Sequence, residues 1–135
     1  MKILGIDYGA KRIGVAVAEM AVRLAFPKKA LRGTGDIEGD AEMVNDYARR
    51  EECSTIIVGL PLLESGEEGE QARIAKQFGG ALAARGLNVV FWDERFTTAA
   101  ARMALEELPA KRRALMVDSE AARIMLIDFL SKGDG

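Results

Sequence analysis

Apolar positions in this chain follow two different periods, and the places where one gives way to the other mark its elements. Ile3, Leu4 and Ile6, then Ile13, Val15 and Val17, carry the period of strands. The Gly9-Ala10-Lys11-Arg12 link between them is short enough for a hairpin. Val22 to Ala30 reads as a third strand, and Pro27 suits a sheet edge, where a missing N–H costs no ladder bond. The Gly33 to Gly39 stretch turns into a helix from about Asp36 to Arg50. Thr55 to Gly59 is short and apolar, the pattern of a strand covered on both faces, and Pro61 ends it.

After the polar loop from Glu64 to Glu70, the period becomes helical. Ala72, Ala75, Phe78 and Leu82 form one side of an amphipathic helix from Gln71 to Arg85, with Gly86 as its stop. Asn88 to Trp92 is a fifth strand, Thr97 or Thr98 caps a helix to about Leu108, and Pro109 breaks it. A last helix is expected from Asp118 to Leu130, burying Ala122, Met125, Leu126 and Phe129, with Gly133 ending it. The order βββαβαβαα predicts an α/β fold, a mixed five-stranded sheet flanked by helices, and 135 residues suit one domain over 1–135.

Carboxylates stand at the boundaries of these elements. Asp7 ends the first strand, Asp93-Glu94 follow the fifth, and Asp118 opens the last helix. Ligands of open α/β sheets collect outside the carboxyl ends of strands, where Asp7 and Asp93-Glu94 meet if strands one and five run parallel. A carboxylate leaving a core without a partner costs several kcal/mol, by an estimate of about 2–7 for a polar group and more for a charge, so converging carboxylates favour a cation.

Composition narrows the choice of ion. With one cysteine, Cys53, and no histidine, a cystine framework, a Cys/His zinc site and histidine acid–base chemistry are excluded, leaving oxygen ligands that suit Mg²⁺ or Mn²⁺. A net charge of −2 argues against wholesale coating of nucleic acid. Local cations remain, at Lys11-Arg12, Lys28-Lys29 with Arg32, Arg95 and Lys111-Arg112-Arg113, mostly in expected connections. Asp7 interrupts the first apolar stretch and no run reaches the ~18 residues of a membrane span, so a cytoplasmic protein is expected.

Four segments, in this order, resemble the YqgF/RuvX family of Holliday-junction-resolvase-like and pre-16S ribosomal RNA nucleases, within the ribonuclease-H-like superfamily. They are Gly5-Ile6-Asp7-Tyr8-Gly9-Ala10-Lys11-Arg12-Ile13-Gly14-Val15-Ala16-Val17, Ile57-Val58-Gly59-Leu60-Pro61-Leu62, Asp93-Glu94-Arg95-Phe96-Thr97-Thr98 and Val117-Asp118-Ser119-Glu120-Ala121-Ala122. The resemblance implies a ribonuclease-H-like fold and a two-metal-ion endonuclease. It makes Asp7, Glu94 and Asp118 the catalytic metal ligands, for two ions of Mn²⁺ or Mg²⁺, with Asp93 ranked behind Glu94. Lys11, Arg12, Arg95, Lys111, Arg112 and Arg113 are suited to nucleic-acid phosphates. The implied substrates are the 5′ end of precursor 16S rRNA, branched DNA of Holliday-junction type, or both, with ribosomal particles as further partners and a monomer or homodimer as the working form.

Some positions depart from the family pattern: Leu63 and Ser65 where Asn and Asp are common, Ala100 for Glu, and Met116 for Lys. They keep a noncatalytic RNA- or ribosome-binding module as the alternative. Individual residues also have structural readings. Asp118 can cap its helix, Thr97 and Thr98 theirs, Gly5, Gly9 and Gly14 can serve the hairpin, and Asp93 can pair with a basic neighbour. One of Phe91 and Trp92 is expected in the core.

Overall fold

The computed structural model describes residues 1–93 and 110–132, with side chains over 1–93 and 119–131. The helix expected from Thr97 or Thr98 to Leu108, and the Gly133 stop, lie outside the described residues. The elements are β1 (Lys2–Tyr8), β2 (Arg12–Glu19), β3 (Leu24–Arg32), α1 (Ile37–Arg50), β4 (Cys53–Leu60), α2 (Glu70–Ala84), β5 (Asn88–Asp93) and α3 (Ala110–Lys132). They build a mixed five-stranded sheet in the order β3-β2-β1-β4-β5. β2 runs antiparallel to both of its neighbours, and β1, β4 and β5 run parallel.

Strand alternation sorts the apolar side chains into two cores. Leu4, Ile6, Ile13, Val15, Val17, Ile56 and Val58 pack with Ala41, Val44 and Ala48 of α1 and with Ala75, Phe78 and Leu82 of α2. On the opposite face Ile3, Ala16, Ala18 and Ile57 pack with Ala122, Met125, Leu126 and Leu130 of α3. β1 and β4 thus carry apolar residues on both faces, which is why Thr55 to Gly59 lacks polar alternation. Phe91 joins the first core and Trp92 the second, so each is half-buried and neither is spared.

Helix ends follow local chemistry. The Asp36 carboxylate accepts from the Gly39 N–H at 2.9 Å and caps α1. After α2, Gly86 takes φ +93°, a left-handed conformation that lets the Leu87 N–H reach back to the Leu82 carbonyl. Among the described residues, no helix is long and apolar enough to cross a membrane.

Four expectations need correcting. β3 spans Leu24–Arg32 and not Val22–Ala30, because the turn after β2 takes up Val22 and Arg23, the latter at φ 54°. α3 begins at Ala110, so Asp118 lies inside the helix and does not open it. β5 is not beside β1, since β4 lies between them. Gly5 serves the helix and not the hairpin: a Cβ there would stand 2.6 Å from Leu126 Cγ, so α3 approaches the sheet only because Gly5 has no side chain.

That contact generates a test. Gly5→Ala overpacks a closed core and is expected to cost about 1–3 kcal/mol in urea denaturation. Combining it with Leu126→Ala should cost less than the sum of the two single changes, because the smaller leucine replacement relieves the clash. Strict additivity would show that the helix does not bear on Gly5.

Candidate active site

Because β1, β4 and β5 are parallel, their carboxyl ends share one edge of the sheet. Asp7 sits one residue before the end of β1, half-buried, with buried Gly14 of β2 directly opposite. It alternates with Ile3 and Gly5, which places it on the face that carries α3. Asp93 closes β5 opposite Leu60 and shares the phase of Val89 and Phe91, on the α1/α2 face. Asp7 and Asp93 therefore occupy one edge but opposite faces, which sets Asp93 aside as a companion of Asp7. Glu94 and Arg95 lie outside the described residues.

A local irregularity in the sheet sets the position of α3. Between β2 and β3 the register runs Ile13↔Leu31 and then Val15↔Lys28, so Lys29 and Ala30 together oppose Gly14, a bulge. The Val15 N–H donates to Ser119 Oγ at 3.2 Å, and Ser119 is fully buried. Leu126, two turns on, lies over Gly5. The helix accordingly runs antiparallel to β1, with its Ser119 end near the Asp7–Gly14 pair.

Position 118 precedes Ser119 and falls four residues before Ala122 and eight before Leu126, on the helical stripe that meets the sheet. Thus the fold brings positions 7 and 118 to the same face at the same edge. The helix-cap reading of Asp118 is withdrawn. Lys111, Arg112 and Arg113 belong to the start of α3 and not to a connection. Among the described residues, no three acidic, cysteine or histidine side chains form a metal cage. Nearby Glu120 is buried and engaged by the Arg123 guanidinium.

One buried network at this edge was missed by the sequence reading. Asp40, 1% exposed, accepts from the Tyr8 hydroxyl at 2.5 Å, from the Thr34 N–H at 2.6 Å and from Thr34 Oγ1 at 2.8 Å. Tyr8 also stacks on Phe78, with centroids 4.1 Å apart. Burial first, then the Asp40 hydrogen bond and the charges of Asp40 and Asp36, push the Tyr8 phenol above its ordinary pKa. The only signal in the sequence was an acidic residue in the first turn of α1, which also reads as a complement to the helix dipole.

Lys11 and Arg12 are exposed at the hairpin, on the same edge as Asp7. Arg12 shares Asp7's face, since Ile13 and Val15 turn to the other one. The Trp92 indole N–H donates to Asp128 Oδ2 at 2.7 Å and its ring meets Phe129 edge-on, so it fastens α3 to β5 and is not presented to a nucleobase.

A family model described as "RuvX: Holliday junction resolvase" matches residues 1–132. The chain belongs to the RuvX family. It is 40% identical to a Thermus thermophilus protein named "Putative pre-16S rRNA nuclease", over 98% of this chain and 99% of the relative. A Sulfurihydrogenibium relative of the same name is 36% identical, over 97% of this chain and 90% of its own length. Among solved structures, Thermus thermophilus RuvC in complex with a Holliday junction substrate aligns at a TM-score of 0.63 and 16% identity, covering 100% of this chain and 97% of that one. The RuvX-family chain thus has the ribonuclease-H-like fold that the sequence led one to expect.

Removing the Tyr8 hydroxyl leaves the buried Asp40 carboxylate short of one donor, so Tyr8→Phe is expected to cost about 1–3 kcal/mol in urea denaturation. The raised phenol also fixes a pH dependence. Its contribution to stability is complete below the unfolded tyrosine value of about 10 and is lost as pH rises through the higher folded value. Alkaline destabilisation should be shallower in Tyr8→Phe than in the parent; equal slopes would contradict the network.

Proposed function

We propose that this chain is a metal-dependent endonuclease that hydrolyses phosphodiester bonds, processing the 5′ end of precursor 16S rRNA and accepting branched DNA of Holliday-junction type. The observation that carries the reading is the joint placement of Asp7 and position 118 on one face and one edge, set by the bond from the Val15 N–H to Ser119. Names of relatives at up to 40% identity and near-complete coverage support the rRNA end as the substrate.

The donor set fits a hard divalent cation. Asp7, Glu94 and Asp118 offer only carboxylate oxygens, in a chain with no histidine, and these suit Mg²⁺ or Mn²⁺. When bound, two such ions supply an activated water and stabilise the leaving oxygen of an in-line displacement. The protein's own contribution is placement. Tyr8, held by Phe78 and Asp40, fixes the end of β1 from one face, and so fixes the backbone that carries Asp7 toward the other. Gly14 opposite Asp7 carries no side chain that would compete for the space above the pair. Lys11 and Arg12, exposed beside this edge, neutralise substrate phosphates, so affinity falls as salt rises.

Asp7→Asn and Asp118→Asn, each assayed with Mn²⁺ or Mg²⁺ on a labelled precursor-rRNA end and a four-way junction, are expected to lose more than about a hundredfold in cleavage rate. That exceeds the ~10–100-fold cost of disturbing an outer-shell partner of a metal site. Thermal melts should match the parent. Undiminished cleavage by both variants would reject the site, and tight RNA binding with no turnover under either metal would favour a noncatalytic RNA- or ribosome-binding module.

A further inference from the structure

The outer edge of the sheet carries a groove of ≈ 840 Å³ between the hairpin turn, β3 and the segment that leaves β3. Among the described residues, five cations line it, Lys11, Arg12, Lys28, Lys29 and Arg32, and no acidic residue does. This concentration is local, since the whole chain carries a net charge of −2. None of the five forms an ion pair or side-chain hydrogen bond with another described residue.

Lysines on an edge strand have an ordinary use, which is to discourage pairing with another sheet. That use accounts for Lys28 and Lys29 but not for the arginines. Arg12 lies in β2, inside the sheet, and its direct cross-strand partner is Arg32. Like charges directly opposite one another destabilise a strand pair. An anion between the two guanidiniums turns this repulsion into two charge-assisted contacts, in the fork geometry that suits a phosphate.

The groove is also firmly built. Gly33 passes so close to the hairpin that a Cβ would stand 2.0 Å from the Ala10 carbonyl oxygen, and its N–H donates to Lys11 O at 2.9 Å. The next residue, Thr34, is held twice by buried Asp40. The bulge at Lys29-Ala30 lies opposite Gly14, whose other partner is Asp7, so groove and candidate site share one stretch of β2.

We propose that this groove is a phosphate track that grips the flank of the bound nucleic-acid strand, with Arg12 and Arg32 clamping one phosphate and Lys29, opposite Gly14 on the same face, the next. β3 lies two strand spacings, roughly 9.6 Å, from β1. The proposal deepens the nuclease reading and rests on it for what is cut, whereas groove binding stands on charge and register alone.

The test measures binding of a labelled single-stranded RNA by fluorescence anisotropy across a salt series, in EDTA so that no hydrolysis occurs. Lys29→Gln/Arg32→Gln should lower the slope of log affinity against log salt by about 1.4, from ~0.7 for each lost contact. Between about 50 and 200 mM salt the parent should then lose roughly sevenfold more affinity than the variant. Arg49→Gln/Arg50→Gln removes the same charge from the far end of α1 and should keep the parental slope, as should the charge-preserving Lys29→Arg/Arg32→Lys. Thermal melts establish that each variant is folded. A parental slope in Lys29→Gln/Arg32→Gln, or an equal loss in Arg49→Gln/Arg50→Gln, would overturn the proposal. Because binding is read without divalent metal, failure of the groove and failure of hydrolysis are separate results.

Discussion

Beside the bulge in β3, the buried Val15 N–H donates to the hydroxyl of Ser119. A buried donor without an acceptor costs about 1–3 kcal/mol, so this bond fixes where α3 sits along the sheet. Leu126, seven residues further on, meets the bare Cα of Gly5 and supplies a second fixed point. The two points lie about 10.5 Å apart along the helix at 1.5 Å per residue, and together they determine translation and rotation. A slip by one residue would turn the helix by about 100° and carry both Ser119 and position 118 away from β1. Gly5, Ala16 and Ala18 are the small residues that admit the helix to this face of the sheet.

Much of this was legible because strands and helices impress different periods on a sequence. The β1–β2 hairpin, both faces of β4 and the buried stripe of α2 were read from apolar spacing alone. The start of α3 was not, and the reason is electrostatic. Lys111, Arg112 and Arg113 oppose the dipole at a helix N-terminus, whereas Asp118 resembles a cap, so local preference pointed eight residues too far along. Strand order was hidden for another reason. An apolar run such as Ile56-Ile57-Val58 says that a strand is covered on both faces, but not which strands flank it.

The candidate site was legible in its residue types and not in their facing. Alternation alone leaves open which side Asp93 takes, and only the packing of Phe91 against α2 and Trp92 against α3 fixes it. The Arg12–Arg32 pairing was hidden in the same way. Each residue alone reads as a solvated cation, and the repulsion between them exists only once the register of β2 and β3 is known. Asp40 was concealed by having an adequate local explanation as an acidic residue in a helical first turn.

Adjacent residues at the end of β1 divide the labour between the two faces. Tyr8 turns toward α1 and α2, where a ring stack and a short hydrogen bond hold it. Asp7 turns toward α3, at the edge where the strand ends gather. The burial of Asp40's charge is tolerated because three donors converge on it, and the same three bonds anchor the end of β1 and the Thr34 segment together. The anchor of β1 thus lies one residue from Asp7, on the opposite face of the same strand, so that rigidity reaches position 7 through the backbone.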